Sequence, residues 1–210
     1  LPNIEEFLAD WSIKVENNII LDETNAVGNS PSNIIVSVSD SETVGTLPND
    51  RLPIISQYTR ELTPITKNNE AIVKEVLKSS AESYSADITS DEPEYGEKGE
   101  RDAVILSQKQ HSEDFAVYTS SLLVLGSPTL ADSTFLQQTS SVNNASVLLG
   151  IVNNMTGKEK GVVIADKNLQ SSFIAPTAPQ LKKIYVTVVW IIPFIIAAVG
   201  VIVLLRRRNK

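Results

Sequence analysis

The sequence predicts an α/β domain followed by one transmembrane helix. Segments with the pattern of short strands alternate with segments of helical periodicity, an order typical of an α/β sandwich. Near its end the chain instead holds 22 consecutive uncharged residues, from Ile184 to Leu205. We therefore divide the chain into a domain at 1–180, which includes a mobile acidic loop at 83–102, a transmembrane helix at 181–205 and a basic tail at 206–210.

The composition limits the chemistry that the domain can perform. The 210 residues include no cysteine, which excludes disulfides, a thiolate nucleophile and cysteine-ligated metal sites. Before Leu181 the chain holds 12 basic and 25 acidic residues, a net charge of −13. Such a surface repels nucleic acid, so we expect no nucleic-acid partner. Because the chain begins at Leu1 without an initiator Met, we expect a fragment whose front part is missing.

The first half of the domain predicts one helix, two strands and a loop. After the capping residue Asn3, four apolar residues recur at helical spacing: Ile4, Phe7, Leu8 and Trp11. Short β-branched runs bounded by turn residues predict strands at Ile19–Leu21 and Ile34–Val38. The run AIVKEVLKSS fits either a helix or a strand. The acidic segment Ser83–Asp102, with one Pro and two Gly, is typical of a solvated, mobile loop.

The second half predicts three more strands and a helix. AVILSQ and GVVIAD read as strands, and LLVLG, the most continuous apolar run of the domain, predicts a central strand covered on both faces. The segment NNASVLLGIVNNMTGKE begins with asparagines suited to capping and predicts a helix that stops at Gly157. Pro176 and Pro179 then form a stiff spacer before the membrane helix.

The uncharged run Ile184–Leu205 predicts a membrane anchor. About 20 apolar residues, at a rise of about 1.5 Å each, cross a hydrocarbon core about 30 Å thick. Tyr185 and Trp190 lie in its first half, where Tyr185 suits the interfacial belt. Pro193 frees a backbone carbonyl and kinks the helix, while Gly200 is ordinary in a membrane helix.

The charges on either side of the anchor predict its orientation. The tail carries four positive residues that act as a stop-transfer signal: Arg206, Arg207, Arg208 and Lys210. The other side carries Lys182 and Lys183. The positive-inside rule therefore places the C-terminus in the cytoplasm and residues 1–180 outside the cytoplasm, with one pass through the cell membrane.

Four segments, taken in order, carry a family resemblance. A helix leads into a strand in LPNIEEFLADWSIKVENNIILD, and VLKSSAESYSAD holds a serine pair followed by an aromatic residue: Ser79, Ser80 and Tyr84. LLVLGSPTLADSTFLQQTSSVNNASVLLGIVNNMTGKE combines a strand, a turn, paired asparagines and a helix. IIPFIIAAVGVIVLLRRRNK combines Pro, Gly and an Arg run. In this order they resemble the GldG-like auxiliary proteins of ABC transport systems, first described in gliding motility, over essentially the whole chain.

The resemblance implies a fold and partners. The domain would be a three-layer flavodoxin-like (glutamine-amidotransferase-like) α/β domain, incomplete at its N-terminus. Its partners would be an ABC permease and an ATPase. The catalytic version of this fold uses a Cys nucleophile with His, and this chain has no Cys. The chain departs from the family at Gly126-Ser127-Pro128, because family members often carry an acidic residue directly after the glycine; Asp132 is a displaced substitute.

The turn after LLVLG is the candidate for a ligand or partner contact. Gly126 lets the chain turn sharply and Pro128 ends the strand ladder. Short polar side chains follow, suited either to satisfying loop amides and capping the next helix or to contacting a ligand or partner: Ser127, Thr129, Asp132 and Ser133. We keep both interpretations open here.

Catalytic and metal sites have weaker patterns. His111, near Glu113 and Asp114, offers fewer ligands than a metal site needs, and the acidic loop lacks the spacing of an EF-hand. A triad of Ser127, His111 and Asp132 has no nucleophile-elbow pattern to support it. No phosphate-binding loop is present, so ATP hydrolysis belongs to another chain. We expect no catalytic residue, no metal and no cofactor.

We therefore expect a non-enzymatic, membrane-anchored, substrate-binding-like subunit of an ABC-type transport system. The lipid bilayer, the permease and the ATPase are its expected partners. The alternatives are a stand-alone cell-surface adhesin or receptor and an ectohydrolase that uses Ser127 or His111.

Overall fold

Strands and helices of a mixed α/β domain precede a long C-terminal helix. The computed structural model describes residues 2–65, 70–87, 94–114, 116–158 and 177–208. Its strands are β1 Ile13–Leu21, β2 Asn33–Val38, β3 Ile54–Gln57, β4 Arg60–Pro64, β5 Ala71–Lys78, β6 Tyr84–Asp87, β7 Asp102–Glu113 and β8 Ala116–Leu125. Its helices are α1 Pro2–Asp10, α2 Ser41–Val44, α3 Ser133–Leu136, α4 Asn144–Met155, α5 Ala178–Val186 and α6 Ile192–Arg208. A 3₁₀ turn lies at Pro128–Ala131 and a π-helical turn at Thr187–Ile191.

The strands form one sheet in which every pair of described strands is antiparallel. Its order is β3-β2-β5-β7-β4-β1-β6, and β8 also pairs with β7. Glu113 of β7 pairs with Ala116 of β8, so a tight hairpin joins these strands, whereas parallel neighbours need a longer crossover. The expected α/β class is confirmed. The flavodoxin-like three-layer form, whose sheet is parallel, is not confirmed.

The core is built around β7. Five successive residues of this strand, Ala103–Ser107, are buried. Because alternate side chains of a strand point to opposite faces, Val104 and Leu106 join a cluster that includes α4. Ile105 joins a second cluster with residues of β1 and β4. LLVLG lies in β8, where Leu123 and Leu125 pack against the first cluster and Val124 packs against the second, so both of its faces are covered in part. Its side chains are only half-buried, and the apolar run covered completely on both faces is that of β7.

Local patterns predicted several elements closely. Strand β2 differs from its prediction by one residue, and α4 ends before Gly157, which has a φ of +63° as a helix-ending glycine requires. Strand β1 begins earlier than predicted and carries a register irregularity between Val15 and Ile19. Helix α1 begins at Pro2, so Asn3 lies inside it rather than at its cap.

The remaining predictions are decided by the structure, need correction or lie beyond the described residues. AIVKEVLK, which the sequence left open between helix and strand, is strand β5. Part of the predicted acidic loop is regular structure, because β6 pairs with β1, and Gly96 donates its N–H to Ser85 O. Residues 88–93 of that loop, the GVVIAD segment at 161–166 and Pro176 lie outside the described residues. Pro179 lies in the first turn of α5, where a missing N–H costs nothing.

Candidate functional site

The turn at Gly126 joins two parts of the sheet. Its N–H donates to Ala103 O at 2.8 Å, and its carbonyl accepts from Arg60 N at 2.9 Å. A Cβ at this position would overlap the carbonyl oxygen of Arg60. Glycine is therefore needed so that β4 can approach the end of β8.

Ser127 and Thr129 use their hydroxyls to bind the end of β3. Ser127 is fully buried, and its hydroxyl donates to the carbonyl of Gln57. The Thr129 hydroxyl accepts from Gln57 N at 2.8 Å. Both side chains thus satisfy backbone groups of an edge strand, and Ser127 has no surface to offer a ligand.

Asp132 and Ser133 are the exposed members of the candidate set. Asp132 caps α3 and accepts from Thr134 N at 2.7 Å, and its hydrogen bonds with Thr134 hold the pKa of the Asp132 carboxyl below its usual value. A ligand or partner contact stays a prediction for these two side chains, which are the most exposed of the four candidates; Thr129 is only partly exposed.

The alternative triad of Ser127, His111 and Asp132, which no sequence pattern supports, is not assembled by the fold. His111 lies near the far end of the β7–β8 hairpin, where its ring stacks on Tyr118 with centroids 5.4 Å apart. Ser127 lies beyond Leu125, which pairs with Val104. The separation along β7 from Val104 to His111 is about 23 Å at the rise of an extended strand. His111 and Ser127 therefore cannot share a proton.

No group of three or more His, Asp or Glu side chains in the described ranges is placed to hold a metal ion. The acidic side chains of Asp91 and Glu92 lie outside those ranges. One described acidic residue, Asp22, has a structural role. It is fully buried, and its carboxylate accepts from Thr24 N at 2.9 Å, from Asn25 N at 2.7 Å and from the Ser80 hydroxyl.

The serine pair and Tyr84 of the family-like segment thus have structural partners. Ser79 and Ser83 share a hydroxyl–hydroxyl hydrogen bond of 2.7 Å, while Ser80 binds Asp22. Tyr84 donates to Glu23 Oε1 at 3.0 Å, and burial, followed by this bond, raises the pKa of Tyr84 to about 12. The Asp22-Glu23-Thr24 turn was detectable in the sequence as an Asx turn, but its pairing with Ser80 depends on long-range folding.

Asp102 is an unusual carboxyl that sequence patterns did not reveal. Burial, followed by the charge of Glu75, raises its pKa to about 6, against an opposing effect of Lys78. The Lys78 Nζ lies 3.7 Å from Asp102 Oδ1 but only 2.6 Å from Glu75 Oε2. The Lys78 ammonium therefore interacts more strongly with Glu75, and the negative charge of Asp102 is poorly compensated.

The described part of the domain also has surface clefts, of which two are considered for ligand binding. One, of about 380 Å³, lies between α1 and β1 and is lined by Leu8, Ile13 and Val15 among others. The second, of about 360 Å³, is lined by Asn17, Tyr95 and several carboxylates. Neither contains any of the candidate residues of the Gly126 turn.

The C-terminal helix exposes the large apolar side chains that the structure describes between Ile184 and Ile196. Between Pro179 and Ile196 it is long and apolar enough to cross a membrane, and none of that stretch is buried. Tyr185 and Trp190 are exposed, as are Arg206, Arg207 and Arg208, while Lys210 lies outside the described residues. A Cβ at Gly200 would meet no atom within 4 Å.

A π-helical turn lies directly before Pro193, while the predicted kink stays a prediction. Pro193 has no N–H, and its ring would collide with the carbonyl four residues earlier in a regular α-helix. The preceding turn, Thr187–Ile191, is π-helical, and Ile192 N donates to Thr187 O. The longer hydrogen-bonded ring accommodates the proline without breaking the helix.

A short contact connects this helix to the domain. Thr177, directly before α5, forms an isolated antiparallel bridge with Val27. Thr177 N also donates to Gln180 Oε1 at 3.0 Å, and the Leu181 N–H donates to Thr177 O. The first turn of the helix is therefore fixed to the loop between β1 and β2.

Comparison with known proteins gives a likeness in fold. No protein-family model matches the chain, and no curated protein matches it. The chain is similar to a solved structure described as "mmIFT52 N-terminal domain", with a TM-score of 0.50 and 17% sequence identity. The match covers 73% of this chain and 57% of that one, so the chain spans little more than half of its length. At this identity the likeness concerns the fold alone.

Proposed function

We propose that the protein is a non-enzymatic, membrane-anchored auxiliary subunit of an ABC-type transport system, in which a substrate-binding-like outer domain is coupled to a permease and an ATPase. The observation that carries the proposal is the exposed apolar helix at Pro179–Ile196 attached to an α/β domain. The ordered segments that resemble GldG-like auxiliary proteins supply the class of partner.

The energetics of the helix support an anchoring role. Large apolar side chains are exposed along it: Ile184, Tyr185, Val186, Val188, Val189, Trp190, Ile191, Ile192, Phe194, Ile195 and Ile196. Removing one such side chain from water stabilises by about 1.5–3 kcal/mol. The backbone groups of a helix are satisfied internally, so lipid and neighbouring membrane helices can cover this surface at little cost.

The flanking charges support one orientation. Arg206, Arg207, Arg208 and Lys210 exceed Lys182 and Lys183 in number, which favours a cytoplasmic C-terminus and an outer domain at residues 1–180. The Thr177–Val27 bridge supplies a mechanical route between the domain and the helix. A partner or substrate that moves the β1–β2 loop would then move the first turn of the anchor.

The finer fold assignment belongs to this proposal. A three-layer, flavodoxin-like domain is favoured by the family resemblance and by the covering of β7 on both faces. The antiparallel pairing of the described strands argues against it. An experimental structure of the protein with β5 and β7 in parallel order would support the assignment, and the antiparallel order would remove it.

Co-purification from membranes in mild detergent tests the proposed function. We expect the chain to recover an ATPase and a multi-span permease in stoichiometric amounts. A matched control replaces Ile184–Leu205 with an unrelated apolar helix of the same length, which should keep the chain in the membrane and lose both partners. Recovery of the native chain with neither partner would contradict the proposal and favour the stand-alone adhesin or receptor.

A further inference from the structure

The first turn of the C-terminal helix touches one loop of the domain. Thr177 forms a bridge with Val27, which lies in the β1–β2 loop at residues 22–32. Helix α5 begins at the next residue, and the Leu181 N–H donates to Thr177 O, so the helical hydrogen bonding starts at the bridge. The position of the loop along the helix axis is therefore fixed by this contact.

The bridge lies close to the start of the apolar run. Ile184, the first residue of that run, comes seven residues after Thr177, which is about 10 Å along an α-helix. The headgroup layer on each side of a bilayer is about 5–7 Å thick. When Ile184 marks the start of the hydrocarbon core, Val27 lies at the outer boundary of the headgroups, and any tilt of the helix brings it closer to them.

Two lysines occupy the depth between the bridge and the apolar run. Lys182 and Lys183 lie in α5, and both are exposed. Long lysine side chains near the end of a membrane helix extend their ammonium groups to the interface. Their position agrees with a headgroup layer that begins directly below the bridge.

The β1–β2 loop has a surface that headgroups can contact. From Thr24 to Ser39 the chain carries no charged side chain, although residues before Leu181 have a net charge of −13. Asn29 and Pro31 are exposed. An acidic surface would be repelled by the phosphates of anionic lipids, whereas this uncharged loop is not.

The two acids at the start of the loop are held by the domain. Asp22 is fully buried, and its carboxylate accepts from the Ser80 hydroxyl. Glu23 accepts from the Tyr84 hydroxyl at 3.0 Å. These contacts direct both carboxylates toward other parts of the domain, so the uncharged residues form the rest of the loop surface.

The β7–β8 hairpin lies at the opposite end of the sheet. Strand β2 leaves the loop at Asn33 and reaches the level of Lys78 at Ser37. Lys78 pairs with Asp102, and from there β7 runs away from the loop to Glu113, about 36 Å of extended strand. A bilayer that touches the loop can therefore leave the hairpin free.

We propose that the β1–β2 loop rests on the lipid headgroups beside the anchor, with the β7–β8 hairpin held away from the bilayer. The inference rests on the membrane anchor of the proposed function and does not depend on the permease or the ATPase. The domain is then attached to the membrane at two places, the helix and the loop. Two attachments restrict its tilt, which one helix alone would leave free.

Fluorescence quenching in lipid vesicles tests this contact in the full-length chain. Because the chain has no native cysteine, a bimane label can be attached at Asn29→Cys alone. The vesicles contain phosphatidylcholine with a nitroxide on its headgroup in both leaflets, so the orientation of the chain does not matter. Relative to vesicles without nitroxide, the fluorescence should fall at least about twofold, since the label lies at the headgroups. The matched control Ser112→Cys, exposed in the hairpin, should lose less than about a tenth.

Extraction of the same vesicles with alkaline carbonate separates this inference from the anchor itself. A chain that stays with the vesicles while Asn29→Cys is unquenched would overturn the loop contact alone. A chain that washes out would overturn both the anchor and the loop contact. Equal quenching at Asn29→Cys and Ser112→Cys would also overturn the proposal, because the contact would not be confined to the loop.

Discussion

At the scale of single residues, Asp102 links folding to pH. Its pKa is about 6 in the folded protein, because of burial and then of Glu75, against a usual value of 3.8. The folded state therefore binds this proton more tightly than the unfolded chain does. The resulting stabilisation is complete below about pH 4 and is lost as the pH rises through about 6.

Asp102→Asn should remove this pH dependence. Between pH 4 and pH 7, we expect the free energy of unfolding of the native chain to fall by on the order of 1 kcal/mol relative to that of Asp102→Asn. This figure is smaller than the full pKa shift would give, because the carboxyl is only partly buried. Urea unfolding in detergent at several pH values measures the difference. Glu42→Gln, at an exposed carboxylate, is the control, and parallel curves for native chain and Asp102→Asn would contradict the assignment.

Asn144 is a second residue whose role is structural. Its side-chain amide takes the place of a neighbouring strand at the edge of β3. Asn144 Oδ1 accepts from Ile55 N at 3.0 Å, and Asn144 Nδ2 donates to Ile55 O at 2.8 Å. Asn144→Ala should reduce the free energy of unfolding by about 2–4 kcal/mol, because two buried backbone groups lose their partners. Val152→Ala, at an exposed position of the same helix, should cost far less. Chemical denaturation compares the two, and equal losses would refute this role.

At the scale of elements, Gly150 sets the distance between α4 and α2. A Cβ at this position would overlap the carbonyl oxygen of Val44. Gly150→Ala should therefore lower domain stability by more than about 2 kcal/mol, although alanine is the better helix former by about 1 kcal/mol.

The matched control for this substitution lies in the C-terminal helix. A Cβ at Gly200 meets nothing within 4 Å, so Gly200→Ala should leave the unfolding of the domain unchanged. Thermal unfolding followed by circular dichroism distinguishes the two variants. A Gly150→Ala protein as stable as the native chain would show that α2 can move away without cost.

The sequence predicted elements whose signals are local and missed arrangements that depend on distant partners. Strand β2 and helix α4 carry their own boundary residues, so both were found within a residue or two. LLVLG and AVILS are similarly apolar, and nothing local indicates which of the two strands the helices and β1 will bury more completely. The antiparallel order likewise follows from pairings such as β5 with β7, which no local pattern encodes.

The candidate site also combines features that local sequence predicts with features that depend on distant contacts. The sequence identified the Gly126 turn and the polar residues after it. That Ser127 is buried against Gln57, and that Thr129 also binds this residue, follows from contacts about 70 residues apart in sequence. Asp102 was missed for the same reason, since its neighbours Glu75 and Glu61 come from other strands.

At the scale of the whole molecule, the chain combines an acidic α/β domain with an exposed apolar helix whose first turn is fixed to the domain through Thr177 and Val27. The absence of native cysteine makes the topology of this arrangement directly measurable. Single cysteines can be placed at Thr46, an exposed loop residue, and at Arg208, at the other end of the helix.

Labelling with a membrane-impermeant maleimide, before and after cells are permeabilised, tests the anchored topology most directly. We predict that Thr46→Cys is labelled in intact cells and that Arg208→Cys is labelled only after permeabilisation. Labelling of Arg208→Cys in intact cells, or protection of Thr46→Cys until the membrane is opened, would contradict an outer domain held by this helix.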